Sequence, residues 1–208
     1  MPHELKALKL RPDLFKIYEI VKEGSRVLDL GCGNGELLNA LVRRKAVTAR
    51  GVEISEEGIM HCIAKGIPVY QSNLDEGLSD YGEQSFDYVI LSQTLQQVYK
   101  PKFVLQEMIR IGRVGVVSIP NFGHWRIRLQ LLFKGTMPKT TYIPYEWYET
   151  PNIHLLSITD FRRLCVELGI RILNEWPVSF KERALTSLMP VWPNVFAPLG
   201  IFEITRRL

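Results

Sequence analysis

The chain has 208 residues, 46% hydrophobic and 23% charged, with 26 Lys and Arg against 22 Asp and Glu for a net charge of +4. That length supports one sizeable core rather than two domains, and the composition is that of a soluble globular protein. The small, dispersed basic excess marks no nucleic-acid site, no apolar run approaches the span of a bilayer, and Cys32, Cys62 and Cys165 lack the spacing of a disulfide framework or a zinc site.

Met1-Pro2-His3-Glu4-Leu5-Lys6 has no apolar core of a secretory signal, so a cytoplasmic location is expected. After Pro12, the residues Leu14, Phe15, Ile17, Tyr18 and Val21 recur at helical spacing until Gly24. Residues 27–30 read as a buried strand ending at a glycine cluster, and from Glu36 a helix presents Leu37, Leu38, Leu41 and Val42 on one face. A second strand is expected at 47–54, a helix at 56–65, a third strand at 67–71 and a fourth at 86–91. Pro101 opens a helix that Gly112 ends, and 114–119 is the fifth strand. The alternation breaks at 120–157, an insertion rich in Pro and aromatic residues with one amphipathic helix at 124–133. Ser157 and Asp160 form a capping-box pattern for a further helix, and 170–176 and 201–205 are the last two strands. Strands alternating with helices predict an α/β fold whose parallel sheet is covered on both faces.

The chemistry centres on Asp29-Leu30-Gly31-Cys32-Gly33-Asn34-Gly35-Glu36. Glycines at the end of a first strand let the backbone bend sharply and approach a ligand, with the N–H groups of the next helix facing the same space. Glu36 stands where the dinucleotide fingerprint needs its third glycine, and its carboxylate would repel a pyrophosphate, which argues against NAD and FAD. Cys32 reads as a small residue filling the turn. Glu53, at the end of the second strand, is placed to accept hydrogen bonds from two ribose hydroxyls.

These residues resemble the class I S-adenosylmethionine-dependent methyltransferases. The resemblance implies a Rossmann-like, seven-stranded, mostly parallel sheet with an antiparallel last strand and helices on both faces. It implies S-adenosylmethionine or S-adenosylhomocysteine as cofactor, with Asp29 at the amino-acid end, Gly31, Gly33 and Gly35 shaping the floor, Glu53 on the ribose, and Ile54 and Leu74 flanking the adenine. Asn73 stands where the family often reaches the adenine amino group with an acid, Asp75 is the alternative, and Ser92 after the fourth strand completes the cofactor set.

Further segments are similar to the MetW family of methionine biosynthesis proteins: Leu74-Asp75-Glu76-Gly77-Leu78, Leu91-Ser92-Gln93-Thr94-Leu95-Gln96, the stretch from Ser118-Ile119-Pro120-Asn121 through His124-Trp125-Arg126-Ile127-Arg128, and Thr150-Pro151-Asn152-Ile153-His154. That similarity implies a partner or activator of homoserine O-acyltransferase; the competing reading is an active methyltransferase of an unidentified small molecule. Leu91-Ser92-Gln93-Thr94 replaces the D-P-P-Y or N-P-P-Y segment of enzymes that methylate base amino groups. His124, Trp125, Arg126 and Arg128 are candidates for substrate or partner contact, although Arg126 and Arg128 are two apart and cannot share one narrow helix face. His154 is a weaker chemical candidate than a structural imidazole, and no metal is expected because metal-ligand spacings are lacking.

Overall fold

The computed structural model of the protein describes residues 10–140, 142–179 and 188–207, so the N-terminal residues read for a leader lie outside it. The elements run α1 (Pro12–Ile20), β1 (Arg26–Leu30), α2 (Glu36–Lys45), β2 (Thr48–Glu53), α3 (Glu56–Ala64), β3 (Val69–Gln71) and β4 (Phe86–Ser92). They continue as α4 (Pro101–Ile111), β5 (Gly112–Pro120), α5 (Trp125–Lys134), α6 (Ile158–Glu167), β6 (Ile170–Val178), α7 (Pro193–Phe196) and β7 (Leu199–Arg206).

The strands form one sheet in the order β3-β2-β1-β4-β5-β7-β6. Strand β7 runs antiparallel to both β5 and β6, while the pairings among β1 to β5 are parallel. This is the seven-stranded, Rossmann-like sheet that the alternation and the family resemblance lead one to expect. Strand order reverses between β1 and β4, and such a reversal opens a crevice beyond the carboxyl ends of the strands.

Strand β1 pairs on both edges, and Val27, Leu28 and Leu30 are fully buried because helices cover both faces. Val27 packs with Ile17, Leu38, Leu41, Ile90 and Val116 on one face. Leu28 and Leu30 pack with Leu91, Leu105, Met108, Phe161 and Phe202 on the other. By the same alternation Asp29 faces the α1 side, at the mouth of the crevice.

Pro12 sits in the first turn of α1, where its missing N–H costs nothing. Helix α6 begins with the expected capping box: Ser157 accepts from the Asp160 N–H and the Asp160 carboxylate accepts from the Ser157 N–H. Helix α5 forms where expected, but Ile127 is its one buried residue; Leu132 and Phe133 are 74% and 78% exposed. The expected strand start at Ile67 is corrected to Val69, because the Ile67 N–H closes α3 on the Cys62 carbonyl.

Candidate functional site

A cleft of about 760 Å³ opens at the strand-order reversal. Its walls come from the glycine loop, the ends of β2 and β4, the turn after β3 and the insertion that follows β5.

The loop floor follows from two positive-φ glycines. Gly31 has φ +75°, and a Cβ there would stand 2.7 Å from Thr94 Oγ1. Gly33 has φ +52° with open space where a Cβ would lie, so that face of the backbone is left bare. Gly35 is buried as the residue before α2 and packs against Cys62, so it sets the bend without lining the cleft.

The Glu53 carboxylate closes the loop from the opposite side. Oε2 accepts from the Gly33 N–H at 2.7 Å, and Oε1 accepts from the Ile54 and Ser55 N–H groups at 2.9 Å each. A carboxylate accepts about four hydrogen bonds, so roughly one position is left for a hydroxyl donor before the loop must shift. The glycine bend and Glu53 therefore face each other across the same space.

Asp29 is 3% exposed and lines the cleft, and no donor among the described residues reaches its Oδ1. Burial above all, and then the charge of Glu53, push its carboxyl up to about 7, against a smaller opposing pull from Arg11. A buried carboxylate oxygen without a donor is costly, and a ligand N–H or ammonium placed there would relieve it.

At the other end of the cleft lie Ile54, Asn73, Leu74 and Asp75. Ile54 is 63% exposed and presents an apolar surface to the cleft. Asn73 Oδ1 caps the short turn by accepting the Asp75 N–H, and the Asp75 carboxylate accepts from the Tyr99 and Lys100 N–H groups. Both residues line the cleft, so the two alternatives for a polar contact there stand side by side.

Ser92 lines the cleft but its hydroxyl is already engaged, 3.1 Å from Ser118 Oγ and 3.4 Å from Asp13 Oδ2. It belongs to a clamp that sequence reading missed. Asp13 on α1 is fully buried and accepts from Gln93 Nε2 at 2.7 Å and from Arg11 at 3.1 Å. Gln93 has φ +51°, a left-handed conformation rare outside glycine, and its N–H donates to the Ser118 carbonyl at 2.9 Å. Backbone strain of this kind persists where surrounding contacts over-determine it, commonly at functional sites. Its only sequence signal is a polar run directly after an apolar strand.

The insertion folds back over the cleft, contributing Tyr142, Pro144, Tyr145 and Asn152 to its walls. It is tied down where the Ile153 and His154 N–H groups donate to the Gln96 carbonyl at 2.8 and 3.0 Å. Gln96 itself is 2% exposed and lines the cleft, with no donor to its Oε1 among the described residues. His124 and Arg126 line a second cavity of about 350 Å³ that shares Tyr142 with the first. Trp125 and Arg128 line neither; Arg126 stacks over the Trp125 ring, and Arg128 Nε donates to the Gly123 carbonyl at 2.6 Å. His154 also stays outside both walls. Cys32 fills the turn as expected, its Sγ 3.7 Å from Cys62 Sγ, and burial raises its thiol far above the ordinary range.

The family model for methionine biosynthesis protein MetW matches residues 11–204. A bifunctional methionine biosynthesis protein MetXA/MetW from Rhodopirellula baltica is 36% identical over 187 residues, covering 85% of this chain and 30% of that protein. A ubiquinone biosynthesis O-methyltransferase from Paracidovorax citrulli is 32% identical over 99 residues, covering 45% of this chain and 41% of that enzyme. The chain thus spans less than half the length of these curated relatives. Among solved structures, a putative methyltransferase in complex with the Haloferax volcanii Trm112 activator matches with a TM-score of 0.69 at 17% identity, covering 100% of this chain and 95% of that one. A possible histamine N-methyltransferase from Thermotoga maritima matches with a TM-score of 0.67 at 19% identity, covering 94% of this chain and 88% of that one. At those identities the likeness establishes the fold.

Proposed function

The chain belongs to the MetW family of methionine biosynthesis proteins and carries a methyltransferase fold, and from there we propose that it binds S-adenosylmethionine or S-adenosylhomocysteine in the large cleft and serves as a partner and activator of homoserine O-acyltransferase. The observation that carries cofactor binding is the Glu53 carboxylate held at 2.7 Å from the Gly33 N–H, directly across the bare loop. In this reading Glu53 takes a ribose hydroxyl with its remaining acceptor capacity, and Asp29 Oδ1 takes the ligand ammonium. Ile54 and Leu74 sandwich the adenine, with Asn73 or Asp75 at its amino edge. The cofactor, when bound, supplies a methyl group already activated on a sulfonium.

The partnership is supported by the fused MetXA/MetW relative, in which a region like this chain is part of one polypeptide with a second function. Association changes a partner's activity only through different affinities for its states. The exposed aromatic residues of the insertion, Trp147 and Tyr148 at 70% and 66%, are of the type favoured at interfaces. Such a role places the chain in the cytoplasm with the biosynthetic enzyme.

A second reading, methyl transfer to a small molecule, is favoured by one observation. The cleft continues past the glycine loop to Tyr142, Tyr145 and Asn152, walls that the cofactor does not need. Copurification with homoserine O-acyltransferase, followed by acylation assays with and without the chain, separates the two. A complex with raised acylation supports the partner role; no complex and no rate change removes it, leaving methyl transfer to be sought with labelled cofactor.

A further inference from the structure

Helix α5 carries its main apolar stripe on the side away from the core. A surface helix normally turns apolar residues inward and polar residues outward. In α5 the inward contact is reduced to Ile127, its one buried residue. Trp125, Leu129, Leu132 and Phe133 recur at i, i+4, i+7 and i+8, which gathers them into a single stripe on the face away from Ile127. Leu129, Leu132 and Phe133 are exposed, and Trp125 is half-buried beneath the Arg126 guanidinium.

The stripe is edged by one sign of charge. Arg126 and Arg128 flank it on its two sides, Lys134 ends the helix, and no Asp or Glu occurs between Glu107 and Glu146. Arg128 is held at this edge by its Nε, which donates to the Gly123 carbonyl. Cations in the first turn of a helix face its positive end and cost stability there. Leucine and phenylalanine left open to water forgo the stabilisation that burial would give them. Both choices run against the stability of the chain alone, and both are explained by a surface that covers the helix.

We infer that α5 is the helix by which the chain docks on homoserine O-acyltransferase, lying in a groove with an apolar floor and carboxylates along both rims. The inference rests on the partner reading above and gives it a surface. Anchors at this spacing are those with which an amphipathic helix fills a protein groove, and from the first to the last they extend over about 12 Å. The flanking arginines set the partner's sign by charge complementarity. A second copy of this chain is a poor occupant, because a two-fold contact would bring two acid-free basic patches together. A lipid surface binds in proportion to the apolar area inserted, and three exposed side chains offer little.

The test is calorimetric titration of purified homoserine O-acyltransferase with the full chain, as wild type and as the double variant Leu132→Glu, Phe133→Glu. The double variant should bind about 30-fold weaker or worse, since a few buried anchors dominate such interfaces. Its circular dichroism and urea midpoint should stay those of the wild type, because both side chains are exposed in the chain alone. Arg128→Gln should weaken binding less and reduce its salt dependence. Wild-type affinity in the double variant overturns the inference and leaves the partner reading intact, whereas no binding by the wild-type chain overturns both. The stripe belongs to another occupant, and the inference fails, if the double variant keeps its acyltransferase binding but splits a wild-type dimer seen by light scattering or no longer cosediments with phosphatidylglycerol vesicles.

Discussion

Replacing Asp29 with Asn is expected to make the protein more stable and a poorer binder at once. The carboxyl ionises at about 7 in the folded chain against an ordinary 3.8, first because it is buried and then because Glu53 is charged nearby. A group whose folded pKa is raised contributes stability that is fully present below the unfolded pKa and is lost as pH rises through the folded pKa. Between pH 3.8 and 7 the unfolded chain gives up a proton that the folded chain retains, so stability falls across that window and levels off above it. At 1.36 kcal/mol per pH unit the loss amounts to ~4 kcal/mol. Asn has nearly the same shape and no charge, so Asp29→Asn should match the wild type near pH 4 and exceed it by up to ~4 kcal/mol at pH 8. Urea unfolding without ligand at the two pH values measures this through the midpoint shift. A variant equally stable or weaker at pH 8, or a gap identical at both pH values, would refute the claim that ionised Asp29 burdens the ligand-free fold.

The same carboxyl gives S-adenosylmethionine affinity a pH dependence: binding should tighten several-fold from pH 6 to 8 as Asp29 ionises, and titration calorimetry of Asp29→Asn should show that rise abolished. Glu53→Gln keeps the shape but removes the charge that holds the Gly33, Ile54 and Ser55 N–H groups; affinity should drop ~10- to 100-fold, since a hydrogen bond to a charged group is worth about 1.5–3 kcal/mol. Asp13→Ala leaves the Gln93 side-chain amide without its buried acceptor, while the left-handed Gln93 backbone keeps only its tie to Ser118. Urea unfolding should show a loss of about 2–3 kcal/mol, whereas Lys102→Ala, at the exposed ion pair with Glu167, should stay within about 0.5 kcal/mol of wild type. Ser157→Ala removes the α6 cap and should cost about 1 kcal/mol by the same measurement.

Local physics made the first half of the domain legible. Strand β1 announces itself because a strand covered on both faces must be largely apolar, as Val27, Leu28 and Leu30 are around Asp29, and the glycine loop because the bend after it tolerates little else. Glu53 could be located because strand ends are short-range features, and the structure does set it against Gly33. The clamp of Asp13, Gln93 and Ser118 stayed hidden because its members are 80 and 25 residues apart. Asp13 in particular resembles an ordinary first-turn acid of a helix until the fold buries it completely. The insertion was visible as irregular sequence, but that Tyr142, Tyr145 and Asn152 return to the cleft depends on tethers to Gln96, which no periodicity encodes. Helix α7 has only four residues, too few for any apolar repeat to register. Arg126 and Arg128 were rightly separated by helical spacing, and the structure sends one to the second cavity and the other to the Gly123 carbonyl.

The bare loop opposite Glu53 is most directly probed by comparing the heat of S-adenosylmethionine binding to the wild-type chain and to Gly33→Val. A saturable one-to-one isotherm should appear with the wild type and vanish in the variant, whose Cβ would project into open space at φ +52°, while its circular dichroism stays that of a folded chain. An isotherm unchanged by the valine, or no heat from the wild type at any ligand concentration, would mean that the loop does not hold this ligand.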